Sequence, residues 1–223
     1  MRTRSRQSIM QATVELVGER GYGETTLGDI AKRAGVARGL VSYYFPSKRY
    51  LLQNAVHRLM HLTLGAALDD LPADAGPEER MSRTIDAILG IAVVRPLLMR
   101  THLAFILAPD ADGFVEDPEQ QQLGRLLQGV LAGRTGSRDP VAEHAVLRSA
   151  LMGGCMGLLL PNAETPLLPI RADLYARYGL DPLVGRKPYL PPAELPWAAA
   201  ETVEVGPVEV GPVDAAAPGG RVE

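Results

Sequence analysis

Residues 25–52 read TTLGDIAKRAGVARGLVSYYFPSKRYLL, and the starts and stops of helices within this stretch decide the fold. Thr26 can cap a helix, and the carboxylate of Asp29, three residues later, can reach back to the cap. Apolar residues then recur at helical spacing as far as Ala34. Gly35 can end this helix in the left-handed conformation that glycine adopts without steric cost. The stretch is therefore predicted to open with one short helix that begins after Thr26 and ends at Gly35.

A second short helix follows almost at once. Only two residues separate the first helix from the run Arg38–Tyr44, which Pro46 stops. Ser47 can cap a third helix that begins at Lys48. Two short helices joined by a tight turn make a helix-turn-helix, whose second helix is free to enter a DNA major groove. The spacing alone also fits a small helical module that binds no DNA, and that alternative stays open at this point.

Residue identities in this stretch narrow the class further. They are Thr26, Asp29, Ile30, Ala31, Ala34, Gly35, Val36, Gly39, Tyr43, Phe45, Ser47, Lys48 and Leu51. With these residues, over about 5–52, the chain closely resembles the DNA-binding segment of the TetR family of transcriptional regulators. The resemblance implies an all-α protein, in which a three-helix helix-turn-helix DNA-binding domain is joined to a helical ligand-binding and dimerisation domain.

The same resemblance implies a function. It indicates a homodimeric, ligand-responsive repressor that binds a pseudo-palindromic operator in double-stranded DNA and is released by a small-molecule inducer. An activator, or a ligand-independent regulator of the same fold, is the alternative within this class.

Three positions depart from the usual family pattern. Ala37 stands where a capping Ser or Thr is common, Leu40 where Thr is common, and Ser42 where a phosphate-contacting Tyr is common. Losing the cap costs about 1 kcal/mol of local helix stability. Leu40 cannot hydrogen-bond a base, but it can pack on a thymine methyl group. The departures bear on how bases are read and leave the fold prediction intact.

The resemblance also assigns DNA contacts. Thr26, Tyr43 and Lys48 resemble the family's phosphate contacts, and Lys48 lies at a helix N-terminus, where backbone N–H groups favour a phosphate. Arg38 opens the recognition helix, where an arginine can pair with guanine through two hydrogen bonds or can instead face a phosphate. The full predicted DNA-binding set is Thr26, Ala37, Arg38, Gly39, Leu40, Ser42, Tyr43, Tyr44 and Lys48.

Charge is distributed unevenly along the chain. The 223 residues carry a formal net charge of −3, which by itself argues against a nucleic-acid partner. Residues 1–50 carry nine Lys or Arg and four Asp or Glu, a net +5, so the remainder carries a net −8. Positive charge gathered around the helix-turn-helix is the footprint expected for phosphate binding. Arg2, Arg4 and Arg6 could extend it as an arm into a minor groove, or could be a frayed basic terminus.

Helical spacing continues through most of the chain. A first helix is predicted over about Ser5–Arg20, and a helix from Lys48 to about Leu71 is long enough to link two domains. The later predicted helices are Pro77–Val94, Pro96–Ala108, Pro118–Arg134, Pro140–Leu160 and Pro169–Tyr178. We therefore predict a DNA-binding domain over residues 1–47 and a ligand-binding and dimerisation domain over residues 48–181.

Residues 182–223 form a tail rich in Pro and Gly, in which no helical period persists. Such a segment usually cannot bury enough apolar surface to fold alone, so we expect it to be dispensable for folding. Four apolar residues are exceptions, because they can dock on a neighbouring surface: Tyr189, Leu190, Leu195 and Trp197.

Flexible apolar and small residues suggest two further sites. Met60, Met99, His102 and Phe105 are candidates to line a ligand pocket that is largely apolar, with His102 as its polar anchor. Ala150, Gly153, Gly154 and Gly157 would allow the close approach of a partner subunit in a dimer interface. The simpler interpretation of both groups is an ordinary core with a close helix crossing.

Several other functions are disfavoured by the sequence. A single cysteine excludes an internal disulfide framework and fits a reducing cytoplasm, and the N-terminus shows no apolar signal core. The longest apolar run, residues 150–160, is too short to span a bilayer, so no membrane is expected. His57 and His61 have i, i+4 spacing, but HRLMH lacks the glutamate of a zinc-protease motif, so we expect no metal site and no cofactor. Without any recognised catalytic motif, an enzyme is the least favoured class.

Overall fold

The computed structural model of the protein describes residues 2–107, 118–133, 139–160, 167–181 and 187–194, together with Trp197, and these residues form helices and connecting segments without a strand. The helices are α1 Arg2–Arg20, α2 Leu27–Ala34, α3 Arg38–Tyr44, α4 Lys48–Asp69, α5 Pro77–Val94, α6 Pro96–Leu107, α7 Pro118–Ala132, α8 Pro140–Leu159 and α9 Leu167–Arg177. The all-α prediction is confirmed for the described part of the chain.

The local signals around α2 form as predicted. The Thr26 hydroxyl accepts a hydrogen bond from the Asp29 N–H at 3.1 Å, and the Asp29 carboxylate accepts one from the Thr26 N–H at 3.0 Å. Gly35 ends the helix with φ 67°, a left-handed conformation that glycine favours. Ala37 precedes α3 without a side-chain hydrogen bond to its end, as expected for a residue without a capping oxygen.

Three packed helices surround the start of α4. α1 packs against α2, α3 and α4, and α2 packs against α3. Ile9, Ile30, Val41 and Phe45 are completely or almost completely buried between them. These side chains belong to the same hydrophobic core that continues along α4 into the rest of the chain. The α2–α3 unit is thus mounted on α1 and on the first turns of α4.

α4 connects this three-helix unit to the second half of the molecule. Its 22 residues are buried on more than one side, because α1, α5, α6 and α7 all pack against it. An α-helix of this length spans about 33 Å. α5 is surrounded in turn by α4, α6, α7, α8 and α9, so it is the central helix of the second half.

Two helix starts differ from their predictions. α1 begins at Arg2 instead of Ser5, and it carries Arg4 and Arg6 on a regular helix, so these two residues form neither the extended arm nor the frayed terminus that the sequence left open. The side chain of Arg2 lies outside the described part. α9 begins at Leu167, two residues before Pro169. The helix can include Pro169 in its first turn, because the N–H that proline lacks would have no partner there. The other helix ends lie within two residues of their predictions.

A buried ion pair fixes α9 on α5. Arg171 donates from Nε to Asp86 Oδ1 at 2.6 Å and from Nη2 to Asp86 Oδ2 at 3.1 Å, in the two-point geometry that arginine and carboxylate favour. The Tyr175 hydroxyl lies 3.1 Å from Asp86 Oδ1 and 2.9 Å from Arg171 Nη2. Both Asp86 oxygens, and the Nε and Nη2 groups of Arg171, therefore have hydrogen-bond partners, as burial requires.

The described residues of the tail lie on the body of the protein. Tyr189 donates its backbone N–H to Asp86 Oδ2 at 3.0 Å, and Trp197 is buried in the core. Leu190 is 46% exposed and so does not dock. Leu195 and residues 198–223 of the tail lie outside the described residues. Docking is thus confirmed for two of the four apolar residues singled out.

Candidate DNA-binding surface and ligand domain

The recognition helix α3 presents a polar and aromatic face to solvent. Val41 is completely buried, and it turns Arg38, Ser42 and Tyr43 outward. Tyr43 is the largest of these side chains and is 61% exposed. Gly39 is also exposed, and a Cβ at this position would meet no atom within 4 Å, so the helix surface is open beside it. A free helix of this kind can enter a major groove.

The end of α3 is held by aromatic contacts. The Tyr44 ring packs edge-on against the Tyr43 ring at 5.2 Å and lies 6.4 Å from the Phe45 ring. Phe45 is buried, and the guanidinium of Arg6 lies 5.4 Å from its centroid. Leu40 and Tyr44 are half-buried, so they are less available for DNA than Arg38, Ser42 and Tyr43.

Thr26 stands at the exposed N-terminus of α2. Its hydroxyl accepts from the Asp29 N–H and lies 2.7 Å from Asp29 Oδ2, so it is engaged within the protein. Hydrogen bonds from Thr26, and then the positive charge of Arg20, lower the pKa of Asp29 below its ordinary value. The capping arrangement keeps the start of α2 in place, where its remaining N–H groups face outward at the positive end of the helix.

Lys48 points into the protein. Its Nζ donates 2.8 Å hydrogen bonds to the carbonyl oxygens of Tyr22 and Thr25, and it lies 3.8 Å from the centroid of the Tyr22 ring. These contacts use two of the three N–H groups of the ammonium. Lys48 therefore ties the start of α4 to the loop between α1 and α2, a role that the sequence did not indicate.

Fewer basic side chains are available for DNA than the nine Lys and Arg counted in residues 1–50. Arg33 donates to Glu15 at 3.1 Å and to Glu19 at 2.9 Å, and Arg20 lies 2.8 Å from Asp29. Arg6 and Lys48 also have partners inside the protein. Arg38 is exposed, and no contact to its guanidinium occurs in the described part of the chain. It is therefore the basic side chain of α3 that remains available for DNA.

The predicted pocket residues do not all lie together. Met60, Met99 and His102 are buried between helices of the second half. Phe105 lies instead at the junction with the three-helix unit, where its ring meets Tyr22 edge-on at 4.6 Å and its carbonyl accepts a 2.7 Å hydrogen bond from Arg49. We correct the predicted lining on this point, because an aromatic contact with the α1–α2 loop places Phe105 at the domain junction.

His102 is the unusual member of the buried set. Its ring meets the His57 ring edge-on at 5.0 Å, and its Nδ1 is buried with no hydrogen-bond partner among the described residues. Burial, and secondarily the neighbouring His57, lowers the pKa of His102 to about 3. A buried nitrogen without a partner costs free energy, and a bound ligand with a polar group would relieve that cost.

Two surface cavities are described, and neither is lined by these pocket candidates. A cavity of about 470 Å³ lies between α1, the α5–α6 turn and residues 193–194. A second, of about 260 Å³, lies between α5, α9 and the tail at Lys187 and Tyr189. Met60, Met99 and His102 are instead buried side chains of α4 and α6.

A buried polar cluster at the domain junction was missed by the sequence analysis. Glu119 at the start of α7 accepts from Arg6 at 2.6 Å, and its second oxygen lies 3.6 Å from Arg58. Arg6 also donates to Asn54 at 2.8 Å. The partners are far apart in sequence, so no local motif could reveal them. Asn54 and Arg58 interrupt the apolar run of Leu51, Leu52, Ala55, Val56 and Leu59 on α4, and this interruption was the signal available in the sequence.

The small residues of α8 divide into two groups. A Cβ at Gly154 would lie 3.0 Å from Leu89 and 3.1 Å from Ile170, and one at Gly157 would lie 3.2 Å from Ile170. These two glycines permit close packing within one protomer. Gly153 is exposed with nothing within 4 Å of a Cβ, and Ala150 is half-buried.

Metal and membrane sites receive no support within the described ranges. His, Cys, Asp and Glu side chains there form no group of three that could hold a metal ion. Over the same residues, length and apolar composition allow no individual helix to cross a bilayer. The bent pair α5–α6 passes that test by length and composition.

Comparison with known proteins gives consistent matches. Residues 9–55 match the family described as bacterial regulatory proteins, tetR family. The HTH-type transcriptional regulator BetI of Serratia proteamaculans is 31% identical over 165 residues, which cover 71% of this chain and 80% of that protein.

Solved structures agree in fold. A TetR transcriptional regulator from Rhodococcus sp. RHA1 superposes with a TM-score of 0.60 at 22% identity, over 82% of this chain and 98% of that one. FadR from Bacillus subtilis, solved in complex with stearoyl-CoA, superposes with a TM-score of 0.54 at 17% identity, over 76% and 95%. At these identities the structural likeness concerns the fold alone.

Proposed function

Because this chain belongs to the TetR family of bacterial transcriptional regulators, we propose that it acts as a repressor that binds a pseudo-palindromic operator as a homodimer. The chain is a ligand-responsive DNA-binding regulator and not an enzyme. The observation that carries the proposal is the orientation of α3, in which buried Val41 turns Arg38, Ser42 and Tyr43 outward. Arg38 then reads a base edge, while Tyr43, Thr26 and the start of α2 contact phosphates.

The proposed dimer interface is the outer face of α8 and α9. Val141 and Val146 on α8 are 69% and 63% exposed, and Leu168 on α9 is 59% exposed. Large exposed apolar side chains on two helices that pack together support an interface with a partner. Gly153 and Ala150 allow close approach on the same helix, so two copies would meet in a four-helix arrangement about a two-fold axis.

The proposed inducer is a largely apolar small molecule with one polar group. Met60 and Met99 supply flexible apolar walls, and the unpartnered Nδ1 of His102 is the anchor. Because these side chains are buried, the ligand enters through a more open conformation, which its binding would favour. FadR of Bacillus subtilis, which has a similar fold, was solved with stearoyl-CoA, whose long acyl chain supports the apolar part of the proposed ligand and not its single polar group.

The division of the chain follows from these assignments. We assign DNA binding to residues 1–47 and ligand binding with dimerisation to residues 48–181, with α4 as the connection. A regulator with these partners acts in the cytoplasm, where DNA and reduced thiols are found. An activator of the same fold would bind the same DNA and differ only in its effect on transcription.

The test is selection of bound duplexes from a random pool, followed by affinity measurements with the selected operator. Arg38→Ala should cost about 1–3 kcal/mol of binding free energy and relax the sequence preference at one position in each half-site. Arg125→Ala, which removes an exposed arginine of α7, is the matched control and should leave operator affinity unchanged.

Two results would contradict parts of this proposal. Equal weakening of operator and random DNA by Arg38→Ala would show that Arg38 contacts a phosphate and not a base. A wild-type chain that enriches no duplex sequence would defeat the function itself, and would favour a helical interaction module that binds no DNA.

A further inference from the structure

A segment of the tail lies along α5 in an ordered series of contacts. We call residues 187–194, with sequence KPYLPPAE, the strap. The backbone N–H of Tyr189 donates to Asp86 on α5, and the Arg83 guanidinium lies 4.6 Å from the centroid of the Tyr189 ring. Further along, Arg95 at the end of α5 donates to the carbonyl oxygen of Ala193. The strap and α5 therefore run in the same direction.

The spacing of these contacts fits the geometry of the two segments. Tyr189 and Ala193 are four residue steps apart, which span about 13 Å in an extended chain. Asp86 and Arg95 are nine steps apart, which also span about 13 Å in an α-helix. Three prolines within the strap favour an extended chain before docking, so the ordering cost is low.

The strap makes its closest approach to α5 at Gly90. A Cβ at this position would overlap the Pro191 Cδ atom and would lie 3.3 Å from the Tyr189 carbonyl oxygen. Glycine in the middle of a helix costs about 0.5–1 kcal/mol relative to alanine. Close approach of the strap is the physical reason for a glycine at this buried position of α5.

The far end of the strap reaches the domain junction. Ala193 and Glu194 form one wall of the cavity of about 470 Å³, and Gln11 and Glu15 of α1 form another. Arg95 also lines this cavity. Its guanidinium donates a hydrogen bond to the Ala193 carbonyl oxygen and is attracted by the negative charge of Glu15. The strap thus runs from the α5–α9 ion pair to the cavity beside α1, and the charge interaction between Arg95 and Glu15 links its far end to the three-helix unit.

We propose that the strap is a clamp, seated on α5 at Gly90, that holds the DNA-binding unit in a fixed orientation to the second half of the protein. A restrained pair of recognition helices loses less conformational freedom when it binds two half-sites. Release of the strap therefore lowers affinity for a complete operator and leaves affinity for a single half-site unchanged. This inference rests on the proposed operator binding by a dimer.

The chain provides its own reporter for the strap. Trp197 is the sole tryptophan of the sequence, and it is buried three residues beyond the strap. Its fluorescence emission shifts to longer wavelength when it becomes exposed to water. Strap release can therefore be measured in the full-length chain without a label and independently of DNA.

The experiment compares full-length variants. Gly90→Ala displaces the strap, and Tyr189→Ala weakens it without a change in α5. Pro191→Ala in the Gly90→Ala chain removes the overlapping Cδ atom and should restore docking. The matched control is Gly129→Ala on α7, where a Cβ would meet no atom within 4 Å.

Gly90→Ala and Tyr189→Ala should shift the Trp197 emission and lower operator affinity by about tenfold, with single half-site affinity changed by less than about twofold. The added Pro191→Ala should reverse both effects of Gly90→Ala, and Gly129→Ala should show neither. Rescue of Gly90→Ala by Pro191→Ala also shows that a poorly folding Gly90→Ala fails because of the strap contact.

Three outcomes would overturn the clamp. They are a Trp197 shift with unchanged or increased operator affinity, an affinity loss without a Trp197 shift, and a Gly90→Ala defect that Pro191→Ala does not reverse. Failure of the proposed function is distinguishable, because the wild-type chain would then enrich no operator while the Trp197 shift and its rescue remain measurable.

Discussion

Arg6 on α1 donates a 2.6 Å hydrogen bond from Nη1 to Oε1 of Glu119 on α7, across 113 residues of sequence. The Glu119 side chain is almost fully buried, and it also lies 3.6 Å from the buried Arg58. The same Arg6 guanidinium packs over Phe45, the residue that ends the recognition helix. One carboxylate therefore balances two arginines and connects the second half of the protein to α3.

Glu119→Gln tests how much this ion pair contributes to the free energy of unfolding. The substitution preserves shape but leaves two largely buried guanidinium groups without an opposing charge, so it should lower the free energy of unfolding by about 3 kcal/mol. Denaturant titration measures the change. Glu78→Gln on the exposed start of α5 is the control and should stay within about 0.5 kcal/mol of wild type. Equal stability of the two variants would refute a structural contribution from the pair.

His102 predicts a dependence of stability on pH. Its pKa is lowered to about 3 in the folded protein, whereas the unfolded chain titrates at the ordinary 6.5. Below pH 6.5 the unfolded state binds the extra proton and the folded state does not, so stability falls as pH falls towards 3. The slope is up to about 1.4 kcal/mol per pH unit.

His102→Phe removes this titration and should flatten the stability curve between pH 6.5 and 4. Chemical denaturation of both proteins across that range gives the comparison, in which the other histidines contribute to both curves. Parallel curves for wild type and His102→Phe would show that the buried imidazole does not control the acid sensitivity.

The two neighbouring glycines of α8 should respond differently to the same substitution. Gly153→Arg points into open space and should give a folded monomer that binds operator weakly. Gly154→Arg would collide with Leu89 and Ile170 of the same protomer and should unfold the protein or lower its melting temperature strongly. Sedimentation and thermal melts separate the two effects. A dimeric Gly153→Arg variant would place the interface elsewhere.

The reciprocal hydrogen bonds between Thr26 and Asp29 at the start of α2 should contribute less to the free energy of unfolding in acid. Hydrogen bonds from Thr26 lower the pKa of Asp29 from its ordinary 3.8, so the carboxylate stabilises the fold above pH 3.8 and loses this effect as pH falls through its lower folded value. Asp29→Asn should therefore be less stable than wild type at pH 7, and the difference should shrink below pH 3.8. Asp74→Asn in the exposed α4–α5 loop is the control. A gap that stays constant with pH would rule out the capping carboxylate as its source.

The sequence by itself determined the helix-turn-helix and most of the helix boundaries. Thr26 and Asp29 make their predicted hydrogen bonds, Gly35 takes its left-handed conformation, and Ser47 caps α4. These features depend on backbone angles and on hydrogen bonds between residues at most four positions apart. The same local rules also left α3 without a cap at Ala37, and the structure has none there.

Only the tertiary structure decided which side chains remain free for function. Lys48 donates to two backbone carbonyls more than twenty residues away, Arg6 pairs with Glu119, and Gly154 accommodates Leu89 of α5 and Ile170 of α9. The strap that crosses Gly90 belongs to a tail whose composition predicted no fold of its own. In each case the partner is brought close by packing and not by sequence distance, so charge counts and residue types alone could not identify it.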